Sequence, residues 1–206
     1  MPKPRPAKTP SEGTRERLIR VATAMIAEQG YAAATVRNIC READAAVNMV
    51  HHFFGSKEGL FDAILAGIGE DLMGVPMRII EEPPESRQDF EARLKLFFHE
   101  SLHTLIEHRL LYAVVMREQI TLPAFVDYHR SVQVFLTAAR CKQIVGKHIE
   151  PEMISGWIMD RLGNQVIHAD WLREAVGNDV VSDEAYRKRW ARANFEFLLG
   201  GLLSQK

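Results

Sequence analysis

The sequence predicts an all-α fold, with an N-terminal three-helix module containing a helix-turn-helix and a larger C-terminal helical domain. Three observations predict it. Apolar residues recur three and four apart through most of the chain, the spacing that gathers them on one face of a helix. No stretch alternates with period two for long enough to pair as a strand. Charge divides the chain as well: residues 1–57 carry nine Lys/Arg against five Asp/Glu, net +4, which leaves −5 for the rest of a chain whose total is −1. Such asymmetry suits a protein of which only one end approaches a polyanion.

At 206 residues the chain can bury a substantial core as one small module and one larger domain. Residues 1–13 hold Pro2, Pro4, Pro6 and Pro10 among Lys3, Arg5 and Lys8, with nothing apolar enough to fold, and are predicted to be a disordered basic tail. No apolar leader or membrane-length run occurs, which predicts a cytoplasmic protein with no membrane partner. Cys40 and Cys141 fall in different domains and make no disulfide framework.

The first helix is predicted over residues 15–31, RERLIRVATAMIAEQGY, with Leu18, Ile19, Ala22, Met25 and Ile26 inward and Gly30 closing it. Residues 35–57, TVRNICREADAAVNMVHHFFGSK, then place two short amphipathic helices around a tight break. Val36, Ile39, Cys40 and Ala43 make the buried stripe of the first, with Thr35 as its N-cap. In the second, Val50 and Phe54 turn inward while Val47, Asn48, Met49, His51 and His52 are left mostly outward. A helix with a polar outer face, held by a second helix across a short turn, is how a protein presents side chains to DNA.

These residues resemble the DNA-binding domain of the TetR family of transcriptional repressors, over roughly residues 14–66. Phe54-Gly55-Ser56-Lys57-Glu58-Gly59-Leu60-Phe61 is similar to the family's F-x-S-K-E-x-L-F signature. Two departures bear on DNA contacts. Asp44, Ala45 and Ala46 stand where the family usually has Gly-Val-Ser, so the serine cap of the recognition helix is absent; either Asp44 caps it or the turn differs. His51, His52, Phe53 and Phe54 replace Tyr-Tyr-His-Phe. The resemblance implies a DNA-binding domain over residues 14–60 and an effector-binding and dimerisation domain over residues 61–206.

Contact roles follow from position in the family pattern. Thr35 offers its hydroxyl to a phosphate. Arg37 reaches a guanine edge or a phosphate. Ala46, Val47, Asn48 and Met49 form the leading turn of the recognition helix, where Asn48 pairs with adenine and Val47 or Met49 packs on a thymine methyl. His51 and His52 donate to the sugar-phosphate backbone, better when protonated, unless one packs inward beside Phe54. Lys57 is expected to be a phosphate contact, with a solvated surface charge as the plain alternative for it and for Arg37.

The remainder reads as helix. Leu60, Phe61, Ile64, Leu65, Ile68 and Leu72 continue a connecting helix that Pro76 bends or ends, and EEPPES is a loop. Helices are then expected over residues 90–107, 110–119, 124–148, 152–176 and 183–203. The last two carry more apolar faces than one core needs, which predicts pairing through Trp157, Arg161, Gln165, Tyr186, Trp190, Phe195, Leu198 and Leu202; a thick monomeric core is the alternative. The resemblance implies a homodimer built as a four-helix bundle, and a twofold pair reads a palindromic operator in double-stranded DNA.

The larger domain is expected to sense a small apolar or amphipathic effector. Its candidate pocket is Phe97, Phe98, His99, Leu102, His103, Tyr112, Met116, Met159, His168 and Trp171, part of which serves simply as core. Met116-Arg117-Glu118-Gln119 followed by Pro123 is similar to a CecR-like subset of the family and names no effector. His99 and His103 stand i, i+4 as zinc ligands can, but lack a second ligand cluster, so no metal or cofactor is predicted. The chain has no glycine-rich phosphate loop, nucleophile motif or dense carboxylate cluster, which argues against an enzyme; Asp160, Arg161 and Asp170 read as solvated or paired charges. Control by a protein partner, operation without an effector, and activation instead of repression are the competing readings.

Overall fold

The computed structural model describes residues 13–203, with backbone alone at 68–71, so residues 1–12 of the predicted tail lie outside the described residues. The helices are α1 Thr14–Gln29, α2 Val36–Glu42, α3 Asn48–Phe54, α4 Lys57–Ile79, α5 Arg87–Glu107, α6 Arg109–Glu118, α7 Pro123–Cys141, α8 Pro151–Ile167, α9 Ala169–Val176 and α10 Glu184–Leu202. Among the described residues the β-pairing is one isolated antiparallel bridge, Val145 with Leu203. Two compact units part inside α4, the first ending at Ala66 and the second beginning at Gly67.

The first unit is a three-helix core with the start of α4 added. Leu18, Ala22 and Ile26 of α1 meet Ile39 and Cys40 of α2 and Val50 of α3, all buried, with Leu60 and Ile64 of α4. Each such aliphatic side chain contributes about 1.5–3 kcal/mol on burial, enough to hold short helices that would not persist alone. Thr35 caps α2 by accepting from the Asn38 N–H at 3.3 Å. Arg17 of α1 donates to the Ala43 carbonyl at 3.0 Å and so ties α1 to the turn after α2.

That turn differs from the serine-capped form and does not use Asp44 as a cap. Asp44 takes a positive φ of 47°, the Ala45 N–H returns to the Cys40 carbonyl at 2.9 Å, and Val47 precedes α3 without a side-chain cap bond. A short polar residue tolerates the left-handed conformation better than most. The reversal is therefore made at Asp44, four residues before α3 begins at Asn48.

In the second unit α8 is central, packing on α5, α6, α7 and α9. Aromatic stacks lock the layers: Phe90 on Phe135 at 5.4 Å, Phe97 on Tyr128 at 5.6 Å, and Phe98 on Trp190 at 6.3 Å. Ser155 of α8, fully buried, donates to the Glu152 carbonyl at 2.8 Å, contacts His129 Nδ1 at 3.2 Å and accepts from Gln133 at 3.4 Å. Those bonds satisfy the Ser155 hydroxyl, which is buried at the α7–α8 contact.

Pro76 falls in the last turn of α4, which ends three residues later at Ile79. Two helix boundaries depart from expectation. The helix expected over 124–148 stops at Cys141, where Gln143 reverses with φ 59° and the Gly146 N–H pairs with the Leu202 carbonyl at 2.9 Å. The helix expected over 152–176 is two, α8 and α9, broken at His168. Asp179 then builds the last turn. Its buried carboxylate accepts from Arg173 Nε and from the Val181 and Ser182 N–H groups, each at 2.7 Å, and from the Ser182 hydroxyl.

Candidate nucleic-acid interface

The outward face of α3 is polar and accessible. Val47 is 50% exposed, and Ala46, Asn48, His51 and His52 are exposed, while Met49 is half-buried beside the buried Val50. Asn48 opens the helix, so its amide projects from the first turn, the part that enters a groove in helix-turn-helix docking. Thr35 and Arg37 are exposed at the start of α2. The Thr35 oxygen accepts from Asn38, which leaves its O–H proton available to an outside acceptor.

His51 carries the most informative geometry on this face. Its Nδ1 lies 2.9 Å from the Gly55 carbonyl. A carbonyl only accepts, so Nδ1 bears the proton and the outer Nε2 holds a lone pair in the neutral ring. Neutral His51 therefore presents an acceptor outward, and only the cation presents a second N–H to a phosphate. Gly55 makes this closure through φ 78°, a conformation that costs glycine little.

Lys57 is differently placed from a free phosphate contact. Its ammonium donates to the Tyr31 carbonyl at 2.5 Å and lies 4.1 Å from the Tyr31 ring centroid. It holds the segment after α1 against the start of α4, with two N–H donors left. Arg15 lies 5.4 Å over the Phe54 ring, which helps seat the end of α3.

The residues expected to line an effector pocket divide between buried core and surface. Phe97, Phe98, Leu102, Tyr112 and Met159 are buried core. His99 is half-buried, and burial followed by Lys95 pushes its imidazole below the ordinary value. His103 and His168 are exposed, with His103 Nε2 3.3 Å from Glu107. Met116 is 47% and Trp171 63% exposed. Helical spacing groups these side chains along each helix but does not tell which helices close on one another.

The pairing residues divide in the same way. Trp190, Phe195, Leu198 and Leu202 are buried within their own unit. Arg161 is exposed, donates to Asn194 at 2.6 Å and lies 5.4 Å over the Trp190 ring, while Gln165 and Tyr186 are half-buried. The apolar surface left outside is Phe197, 73% exposed, with Met153, 70% exposed; Trp157 packs at 6.2 Å from Phe197. They line a groove of about 630 Å³ between the start of α8 and the end of α10, floored by Gly200 and Gly201. Phe197, Met153 and the two glycines were missing from the expected pairing set, although Phe197 stands on a visible stripe with Tyr186, Trp190 and Ala193.

The fold and its outward helix define a helix-turn-helix DNA-binding module on an all-helical chain. A family model described as bacterial regulatory proteins, tetR family, matches residues 18–64. Over that segment, which is less than half of the chain, the sequence is similar to that family. It is similar to the HTH-type transcriptional repressor KstR2 of Rhodococcus jostii strain RHA1, 35% identical over 91 residues, 44% of this chain and 45% of that one. It is also similar to the HTH-type transcriptional regulator BetI 2 of Chromohalobacter salexigens, 41% identical over 58 residues, 28% of each chain. The matched segments thus span less than half the length of these relatives. A solved structure of the ketosteroid transcriptional regulator KstR2 of Mycobacterium tuberculosis shares the fold, with TM-score 0.73, 20% identity, and coverage of 94% of this chain and 97% of that one. These relatives are regulators of transcription, in agreement with the absence of catalytic motifs from the sequence.

Proposed function

We propose that this protein is a transcriptional repressor that binds a palindromic operator as a homodimer and releases it when a small apolar or amphipathic molecule occupies the larger domain. The observation that carries the DNA reading is the outer face of α3, where Asn48, His51 and His52 are exposed beside Thr35 and Arg37 of α2. In this reading Asn48 reads an adenine, Val47 and Ala46 meet a thymine methyl, and Met49 packs at the groove edge. Thr35, Arg37, His51, His52 and the spare N–H groups of Lys57 hold phosphates.

Pairing through α8 and α10 is supported by the groove that Phe197, Met153, Trp157, Gly200 and Gly201 line. A Cβ added at Gly156, Gly200 or Gly201 would meet nothing within 4 Å, which leaves room for a second copy's helices. Two symmetry-related α3 helices then read two half-sites at a fixed spacing. Effector control requires different ligand affinity in the DNA-bound and released states. A bacterial regulator of this kind works in the cytoplasm, where the chromosome is; no helix among the described residues is long and apolar enough to cross a membrane.

The test is the stoichiometry of the complex. Sedimentation of the protein with a duplex that it retains at moderate salt is expected to give two chains per duplex and a protected stretch with twofold symmetry. One chain per duplex with an asymmetric footprint would remove the homodimer.

A further inference from the structure

Among the described residues, two hydroxyls in the core of the second unit have no hydrogen-bond partner: Ser101 Oγ on α5 and Tyr128 Oη on α7. Their residues are 5% and 1% exposed. A buried hydroxyl without a partner is a standing cost to the fold, and it is tolerated where something else needs the group. Phe97 stacks on Tyr128 at 5.6 Å, and Ser101 follows Phe97 by one turn on the same face of α5.

A second phenol stands close by. Tyr112 of α6 is 4% exposed, and its hydroxyl lies so close to Gly163 of α8 that a Cβ there would collide with it. Burial pushes Tyr128 far above its ordinary value, reinforced by Tyr112. Burial and then Asp160 push Tyr112 up to about 12. Both phenols therefore stay protonated and act as neutral donors at any physiological pH.

We propose that Tyr128, with Tyr112 and Ser101 around it, is the polar end of the effector site, and that it receives a neutral carbonyl oxygen on an otherwise apolar molecule. This rests on the sensor reading above. The chemistry selects the class: hydroxyl donors in an aromatic surround satisfy a ketone, ester or amide oxygen. A carboxylate would be desolvated there without a cation and would feel Asp160 as a like charge. The grooves described above do not include these residues, so the ligand enters by parting the Phe97–Tyr128 stack, a minor conformer that binding makes dominant.

The experiment uses the full chain with three probes of similar length, 2-decanone, decanoate and decane, followed by thermal unfolding and calorimetric titration. Wild type is expected to bind 2-decanone at least about tenfold more tightly than the other two. Tyr128→Phe is expected to lose that preference by about the same factor while melting no lower than wild type without probe, since the deleted hydroxyl has no partner to lose. Ser101→Ala is expected to shift in the same direction by less. Equal binding of all three probes, no binding of any, or unchanged preference in Tyr128→Phe overturns the site. A lower melting temperature for Tyr128→Phe without probe also overturns it, because the hydroxyl then has an internal role. Retained DNA affinity with 2-decanone bound would leave the site standing and remove the sensor reading instead.

Discussion

The two units keep their unspent chemistry in opposite places. In the unit that ends at Ala66 the interior is mainly aliphatic, and the polar groups left over, Arg37, Asn48, His51 and His52, are outside. In the unit that begins at Gly67 the surface left over is apolar, at Met153 and Phe197, while the unpartnered polar atoms, Ser101 Oγ and Tyr128 Oη, are inside. The first arrangement suits a polar, charged surface such as a DNA groove. The second suits an apolar partner outside and a neutral ligand group within.

The contrast breaks first at Phe197. Replacing it with Asp puts a charge into the proposed pairing face, and an unpaired buried charge costs about 3–5 kcal/mol. Sedimentation equilibrium is expected to show dimer affinity reduced by about 100-fold or more, with helicity unchanged because the side chain is 73% exposed in the single chain. A dimer as tight as before would move pairing to another face.

Gly163→Ala is expected to destabilise the second unit by about 1–3 kcal/mol through overpacking against Tyr112, against a helix-propensity gain of about 1 kcal/mol. Calorimetry that found the variant more stable would mean that the Tyr112 ring yields freely.

At the DNA face, Asn48→Ala is expected to cost about 1–3 kcal/mol at one base position and to relax preference there alone. Uniform loss across all sequences would make Asn48 a backbone contact.

The smallest expected effect concerns acid stability of the second unit. Burial alone would raise the Asp179 carboxyl, but bonds from the Ser182 hydroxyl, Arg173 and the Ser182 and Val181 N–H groups outweigh it and hold the group well below the usual carboxylate range. A depressed folded value means stability that is fully present above the ordinary carboxylate range and is lost as pH falls toward the folded value. Asp179→Asn should thus lower stability at neutral pH and flatten the acid limb of the unfolding curve. An acid limb identical to wild type would assign that dependence to other carboxylates.

Legibility in the sequence followed the same division. The first unit is made of local patterns, each with its own signal: Thr35 as a cap, Gly30 and Gly55 as closures, and the Val36, Ile39, Cys40 stripe. The bond from Lys57 to the Tyr31 carbonyl carried no signal, because that partner is 26 residues away. In the second unit helical periodicity marked the apolar faces of α5, α8 and α10 but not which neighbour each would meet. Trp190 and Phe195 therefore read as pairing residues while Trp190 stacks on Phe98 and Phe195 meets it at a tilt, and Trp171 and Met116 read as pocket residues while both are exposed in the single chain. Tyr128 carried no signal at all, since an unpartnered phenol is a property of packing.

The most direct measurement is selection of bound sequences from a random duplex pool by the purified full chain, repeated across salt concentrations. A palindromic motif, with an adenine preference that Asn48→Ala removes and with affinity falling steeply as salt rises, is the predicted result. Enrichment of a single unrepeated half-site, or no enrichment at any salt, would contradict a twofold reader built on α3.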